Sequence, residues 1–426
     1  MSTSLLSLPV MNKISPTRIL KSLGFLVHVP KADFLFICHD CDRSVMLCDK
    51  AYAPFLDPIR DYLAAQGYST ISYAQPGSKL TNSRAHGFAF SMNASFYFRA
   101  ALTKILRYLR MTHLFSLKHS YRVLLEATSP KIVFSIGCTS QLCKAANELH
   151  ICLVEALHGI GYHKDPWGWA GLDGLFLPSS ILSYDKVSSN TFGYLPSKGS
   201  SVIDISLPFL DLVENSINDY PDFRVNDALL SKFPKQVLVS LQWGYAGDSI
   251  NAPELNGIIV NGIMHESLIL LIEERSDILF RIRMHPVHVK KRIKYNSVFD
   301  LLGNIASKYA NVEFIDSSSK PLLSVASYCT AHITMSSLSA YEVAYLGVPT
   351  LALCPNLMPG MPYQDLFEDL VHDGYLVKHS PDIPFMRQWL VNSKLLPRRV
   401  FSDQSSTNWH ETVDSIVANS SLLAKA

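Results

Sequence analysis

The chain has 426 residues, a formal net charge of +2, 48% apolar residues and 17% charged ones. That length accommodates two domains, each with its own core, and the composition excludes a disordered or fibrous chain. So small a charge gives no field of the kind that draws a protein to nucleic acid, and none is expected as a partner.

No window reaches the roughly 18 to 20 apolar residues that span a bilayer, and the opening MSTSLLSLPVMNKISPTR has neither the basic start nor the apolar run of a secretory signal. The expectation is a cytoplasmic protein. Cys138, Cys143, Cys152, Cys329 and Cys354 sit singly in or beside apolar runs, as reduced core cysteines do. Cys38, Cys41 and Cys48, with His39 among them, lack a matching second ligand pair, so no metal is expected.

In chain order, residues 32–38 read as a strand, followed by a loop, HDCDRSVMLCDK, rich in hydrogen-bonding side chains. Residues 52–66 have helical periodicity and stop at Gly67, and 68–73 form the next strand. Between Asp61 and Glu126 there is no acidic residue, while Lys79, Arg84, Arg99, Lys104, Arg107, Arg110, Lys118 and Arg122 all fall there. Within that zone 96–125 is a basic amphipathic segment. It is either a solvated helix face on a core, or a surface for an anionic membrane or a phosphate-bearing acceptor.

A second strand-helix-strand unit follows at 131–136, 141–149 and 151–156. Two such units imply a parallel sheet covered by helices, whose ligands bind at the carboxyl ends of the strands. The loops HDCDRS, GCTS and EALHGIGYHKDPWGW therefore line one edge of a cleft. From 211 to 234 the composition shifts to Asn, Asp, Pro and Ser, as in a connection between domains.

Another alternating series comes next: strand 236–241, loop 242–254, helix 255–274, strand 278–284, helix 298–309, strand 312–315, helix 321–329, strand 331–334, helix 337–346 and strand 350–353. A helical pattern at 409–423 has no strand to feed and is expected to pack back across the first domain. The fold class is α/β: two doubly wound Rossmann-like domains, 1–220 and 235–395, facing a cleft, with 396–426 as a returning helical segment.

Two places in the second domain point to chemistry. In RMHP, His285 stands at the carboxyl end of a buried strand, where a ligand phosphate would meet it, and Pro286 fixes the turn. In TMSSLSAYEVAYLGVPTLAL, Ser336 and Ser337 lie between a strand and a helix start, where free amides and hydroxyls form a phosphate seat or simply cap the helix. Glu342, one to two turns on, either takes ribose hydroxyls or is a solvated helix residue. In the first domain Glu155 ends an apolar strand, a costly place for an unpartnered carboxylate, and His158 begins the turn beyond it. The loop SLQWGYAGD carries Gln242, Trp243 and Asp248 towards the cleft.

A strand-end His-Pro followed by a strand, Ser-Ser, helix, Glu, Gly-x-Pro, strand unit resembles the nucleotide-binding domain of GT-B glycosyltransferases. The pattern is most similar to bacterial families that use CMP-activated Kdo or sialic acid in capsule and lipopolysaccharide synthesis, the retaining β-Kdo transferases above all. The resemblance implies that His285, Ser336 and Ser337 contact the donor phosphate. VEALHGIGYH resembles those enzymes' "HG" segment at the cleft. The resemblance further implies Asp248 as nucleophile and Glu155 as acid-base partner, the two-carboxylate logic of retaining chemistry.

Arg283 and Arg281, alternate residues on one strand face, would then pair with the donor's own carboxylate or with its phosphate, or else simply cover the sheet edge. No Asp-x-Asp occurs in the second domain, in keeping with a reaction that needs no metal or other cofactor. The implied partners are a CMP-activated acidic sugar, a glycan or polyprenyl-diphosphate-linked acceptor, and the cytoplasmic face of the inner membrane. The rival readings are sialic acid transfer, glycerophosphate transfer from CDP-glycerol, a nucleotide-sugar 2-epimerase and a catalytically silent scaffold. The epimerase's helix start is commonly Ser-Gly-Gly, where this chain has Ser336, Ser337 and Leu338.

Overall fold

A computed structural model describes residues 30–40, 42–43, 45–75, 84–87, 89–91, 117–216, 224–225, 227–247, 253–399 and 408–423. Asp248, Cys41 and residues 92–116, which hold most of the basic amphipathic segment, lie outside the described residues.

The strands are β1 (Phe34–Cys38), β2 (Val45–Leu47), β3 (Lys50–Tyr52), β4 (Thr70–Ala74), β5 (Ala89–Ser91), β6 (Ile132–Ser135), β7 (Cys152–Ala156), β8 (Ser180–Ser183), β9 (Ser201–Asp204), β10 (Gln236–Ser240), β11 (Leu279–Arg283), β12 (Val312–Glu313), β13 (Ala331–Thr334), β14 (Thr350–Ala352) and β15 (Leu376–Lys378). The first sheet runs β5-β4-β1-β6-β7-β8-β9 and the second β12-β11-β10-β13-β14-β15. Both are parallel, and β2 and β3 form a separate antiparallel hairpin.

In each sheet the first strand stands in the interior. The chain winds outward on one side of it, then returns to wind outward on the other. The reversals fall between β1 and β6 and between β10 and β13, and at such points the flanking loops part to leave a crevice. The interior strands β1, β6, β10 and β13 are buried along their whole length. Strands buried on both faces carry mostly apolar runs rather than an alternating pattern, and the polar residues among them, such as His332 with Ser240 and Thr350, are hydrogen-bonded inside.

Among the departures from the sequence reading, three concern helices. Only Glu266–Glu274 of 255–274 is helical, because Asn261 Oδ1 accepts from the amides of Ile263 (2.9 Å) and Met264 (3.0 Å) in a turn that competes with the helix. The 211–234 connection overlaps one helix, Pro208–Ser216, and contains another, Asp227–Lys232. The first of these packs on Asp57–Ala65 of the first domain and on Leu322–Ala326 of the second, through a stripe that includes the buried Phe209, Leu210 and Val213. The helix beginning near 337 starts at Ser339.

The last helix, Trp409–Leu423, returns to the first domain as expected. Trp409 meets Tyr62 edge to face at 5.3 Å between centroids, and Tyr62 Oη donates to Asp414 at 2.8 Å. Among the described residues no helix is long and apolar enough to cross a membrane.

Candidate functional site

The carboxyl ends of β1, β6, β7, β10, β11 and β13 all open on one cleft of about 750 Å³. That volume suits a ligand the size of a nucleotide sugar. The first domain contributes His39 and Asp42 after β1, Gly137 after β6, and His158 to Ile160 and Tyr162 after β7. Opposite stand Arg283, His285, Ser337, Leu338, Ser339 and Glu342.

His285 caps the helix Pro286–Lys290, its Nδ1 accepting from the Val287 amide at 3.2 Å. An Nδ1 used as acceptor leaves the proton of a neutral ring on Nε2, so the other ring nitrogen of this cleft-lining imidazole is a donor. The ring lies nearly parallel to Trp243, 6.5 Å between centroids, and Trp243 Nε1 donates to Tyr295 Oη at 2.8 Å. Packing and capping together fix the ring's position.

Arg283 lines the same wall. One of its terminal nitrogens donates to the carbonyls of Ser317 and Lys320, both at 2.6 Å, which anchors the guanidinium and leaves its remaining donors for other partners. Loss of solvent pushes its pKa down to about 10, against the opposing pull of Glu342, so it stays charged at neutral pH. Burial pushes the Glu342 carboxyl up to about 7, while Arg283 draws it down.

The two serines have different surroundings. Ser336 is buried, and its amide and hydroxyl both donate to Gln242 Oε1, at 2.9 and 3.0 Å. Ser336 and Gln242 therefore pin the β10 and β13 loops together behind the cleft. Ser337 lines the cleft itself, its Oγ accepting from Ser339 Oγ at 2.9 Å. Leu338 occupies the helix cap position and places a side chain on the cleft wall.

Four described sequence candidates do not line the cleft: Ser336 and Gln242, which bond to each other behind it, and Arg281 and Glu155. Arg281 is fully buried, with Nε donating to Gln236 at 2.5 Å and a terminal nitrogen paired with Glu313 at 3.3 Å. It serves the sheet interior rather than a donor carboxylate, because its strand neighbours carry polar side chains that engage it first. Glu155 is 1% exposed and is enclosed by the Ser135 hydroxyl, the Gly137 amide and the Cys138 amide, the last 3.1 Å from each carboxylate oxygen. Burial lifts its pKa to about 7 in spite of those donors. Its carboxylate holds the β6 loop in shape, which is how this apolar strand accommodates it.

His158 is exposed on the first-domain wall, edge to face with Tyr162 (5.8 Å) and Trp167 (5.5 Å). Crowding by protein lowers its pKa, and the Asp42 carboxylate opposes that. In the sequence Asp42 and His39 stand out only as members of a polar loop. Among the described residues no group of His, Cys, Asp and Glu forms a metal site.

No protein-family model and no curated protein matches the sequence. Solved structures do match the fold. The UDP-GlcNAc 2-epimerase of Methanocaldococcus jannaschii, solved with UDP-GlcNAc and UDP, aligns with a TM-score of 0.54 and 13% identity over 91% of this chain and 99% of its own. MnaA of S. aureus, solved with UDP, aligns at 0.53 and 12% over 90% and 95%. The chain has the GT-B fold. The spinosyn rhamnosyltransferase SpnG aligns more loosely, at TM-score 0.47 and 15% identity over 92% and 94%, too loosely to carry an argument. At these identities the GT-B likeness establishes architecture alone.

Proposed function

We propose that this GT-B protein is a glycosyltransferase that moves Kdo from CMP-Kdo to a glycan or polyprenyl-diphosphate-linked acceptor in surface polysaccharide assembly. The observation that carries the reading is the second-domain wall, where the anchored Arg283, the His285 ring edge and Ser337 line one cleft. Such a set offers a cation and two polar hydrogens to a phosphate and to the carboxylate of an acidic sugar, with no need of a metal. Leu338 supports a single-phosphate donor, since its side chain fills space at the helix start that a glycine would leave for a diphosphate.

In this reading the Asp248 carboxylate attacks the anomeric carbon, the bond to the CMP oxygen breaks, and CMP leaves with the electron pair. The acceptor hydroxyl then displaces Asp248 and gives up its proton. His158 is the cleft-facing group suited to take it, and Glu155 keeps the β6 loop in place beneath. Sialic acid transfer from its CMP donor uses the same groups. The 2-epimerase is the second reading, favoured by the overall likeness to such enzymes and opposed by Leu338. Titration calorimetry with CMP, CMP-Kdo and UDP separates the readings. Preference for CMP and CMP-Kdo supports transfer, and preference for UDP removes it.

A further inference from the structure

Between Asp277 and Asp300 the chain carries no acidic residue, while Lys290, Lys291, Arg292 and Lys294 follow one another just beyond the His285–Pro286 corner. They bracket Ile293, which is 98% exposed, as bare as an isoleucine becomes in a folded chain. Val289, one turn earlier, is 40% exposed.

This tip is built. The Lys294 amide bonds back to the Lys291 carbonyl at 2.8 Å, closing a tight turn. The turn stands between His288 and Tyr295, both buried, with rings 5.0 Å apart. The Arg292 guanidinium lies 4.7 Å over the Phe299 ring and the Lys294 ammonium 5.0 Å over the Tyr295 ring. Two of the cations that flank the exposed isoleucine in the chain are thereby each held over an aromatic ring of the same segment. Tyr295 also accepts from Trp243, the residue that flanks His285 in the cleft.

We infer that the 289–294 turn is a docking surface for an anionic lipid bilayer, with Ile293 entering the headgroup layer and Lys291, Arg292 and Lys294 pairing with lipid phosphates. Charge complementarity commits the occupant: a lone aliphatic tip ringed by cations and free of carboxylates matches an interface with an apolar interior and a negative surface. A protein partner would more commonly meet a broader apolar patch. The turn leaves the same sheet edge as the cleft, five residues beyond cleft-lining Val287 in the case of Arg292. Docking there brings the cleft to the membrane, where a lipid-linked acceptor would be found. In that respect the inference extends the proposed function, but its test does not depend on it.

The experiment is co-sedimentation of the full chain with vesicles of phosphatidylglycerol in phosphatidylcholine, against vesicles of phosphatidylcholine alone. The expected result is binding to the anionic vesicles only. Near an anionic surface each cation is worth roughly fivefold in partitioning, so Lys291→Glu with Arg292→Glu lowers binding by roughly 25-fold or more. Ile293→Ser lowers it by roughly tenfold. Both variants alter exposed side chains and should melt with the wild type. Equal binding to both vesicle types, unchanged binding of both variants, or binding to RNA or heparin without binding to vesicles would each overturn the inference. Donor turnover with a water-soluble acceptor, measured without vesicles, reports the proposed function separately. Lost vesicle binding with intact turnover rejects the surface alone.

Discussion

Gly161 of the first domain lies against the ring of Tyr341 of the second: a Cβ on Gly161 would stand 2.2 Å from Tyr341 Cε2. The glycine has φ +77°, its amide donates to Asp185 at 2.9 Å, and the tyrosine hydroxyl donates to Asp369 at 2.8 Å. Each partner is held by its own domain, so the contact sets how closely the two cleft walls approach beside His158 and Glu342.

Gly161→Ala should therefore cost about 2 to 4 kcal/mol, from overpacking and from the left-handed backbone together. Tyr341→Ala in the same chain should recover the steric share, giving a coupling of at least about 1 kcal/mol in a urea-denaturation double-mutant cycle. Simple additivity would show that the domains do not press on each other here.

His285→Asn separates the residue's two duties. Asparagine also caps helices but lacks the Nε2 donor, so stability should hold within about 0.5 kcal/mol while donor KM rises roughly tenfold or more. His285→Ala should add the lost cap, about 1 kcal/mol. A donor KM unchanged in both variants would remove His285 from the donor site.

Glu155 gives a pH dependence of definite sign. Its pKa is raised from 4.5 to about 7 in the folded chain, so folded protein holds this proton over that interval and unfolded protein does not. The associated stability is full below about pH 4.5 and is lost as pH rises through about 7. Wild type should lose about 2 to 3 kcal/mol relative to Glu155→Gln between about pH 5 and about pH 8. Parallel stability curves for the two proteins would contradict the buried, proton-holding role.

The fold was largely legible because both sheets put their first strand in the interior, and interior parallel strands are predominantly apolar runs bounded by turns. The runs at 32–38, 131–136, 236–241 and 331–334 became β1, β6, β10 and β13 almost residue for residue. The short strands β5, β8, β9 and β15 are missing from the sequence reading, since three or four residues carry too short a run to stand out, even for the buried β8. At the site, the His-Pro corner and Ser337 were readable as strand-end and helix-start residues. The costly position of Glu155 at the end of an apolar strand was readable too, but its partners and the burial of Arg281 were not, because they depend on Ser135, Cys138, Gln236 and Glu313, which reach in from neighbouring strands and loops.

The returning helix offers a test of domain clamping. Trp409 is buried against Tyr62, and Trp409→Ala should release the Trp409–Leu423 helix, seen as loss of hydrogen-exchange protection across it while the β10 and β11 amides stay protected. Uniform loss of protection would mean that the helix is integral to global stability instead.

Nucleotide release should be followed with purified protein, acceptor glycan and, in separate reactions, CMP-Kdo, CMP-sialic acid, CDP-glycerol and UDP-N-acetylglucosamine. Acceptor-dependent release of CMP from CMP-Kdo, lost in Asp248→Asn, is the predicted result. Conversion of the UDP-sugar without release of UDP, together with inert CMP-sugars, would contradict it and make the protein an epimerase.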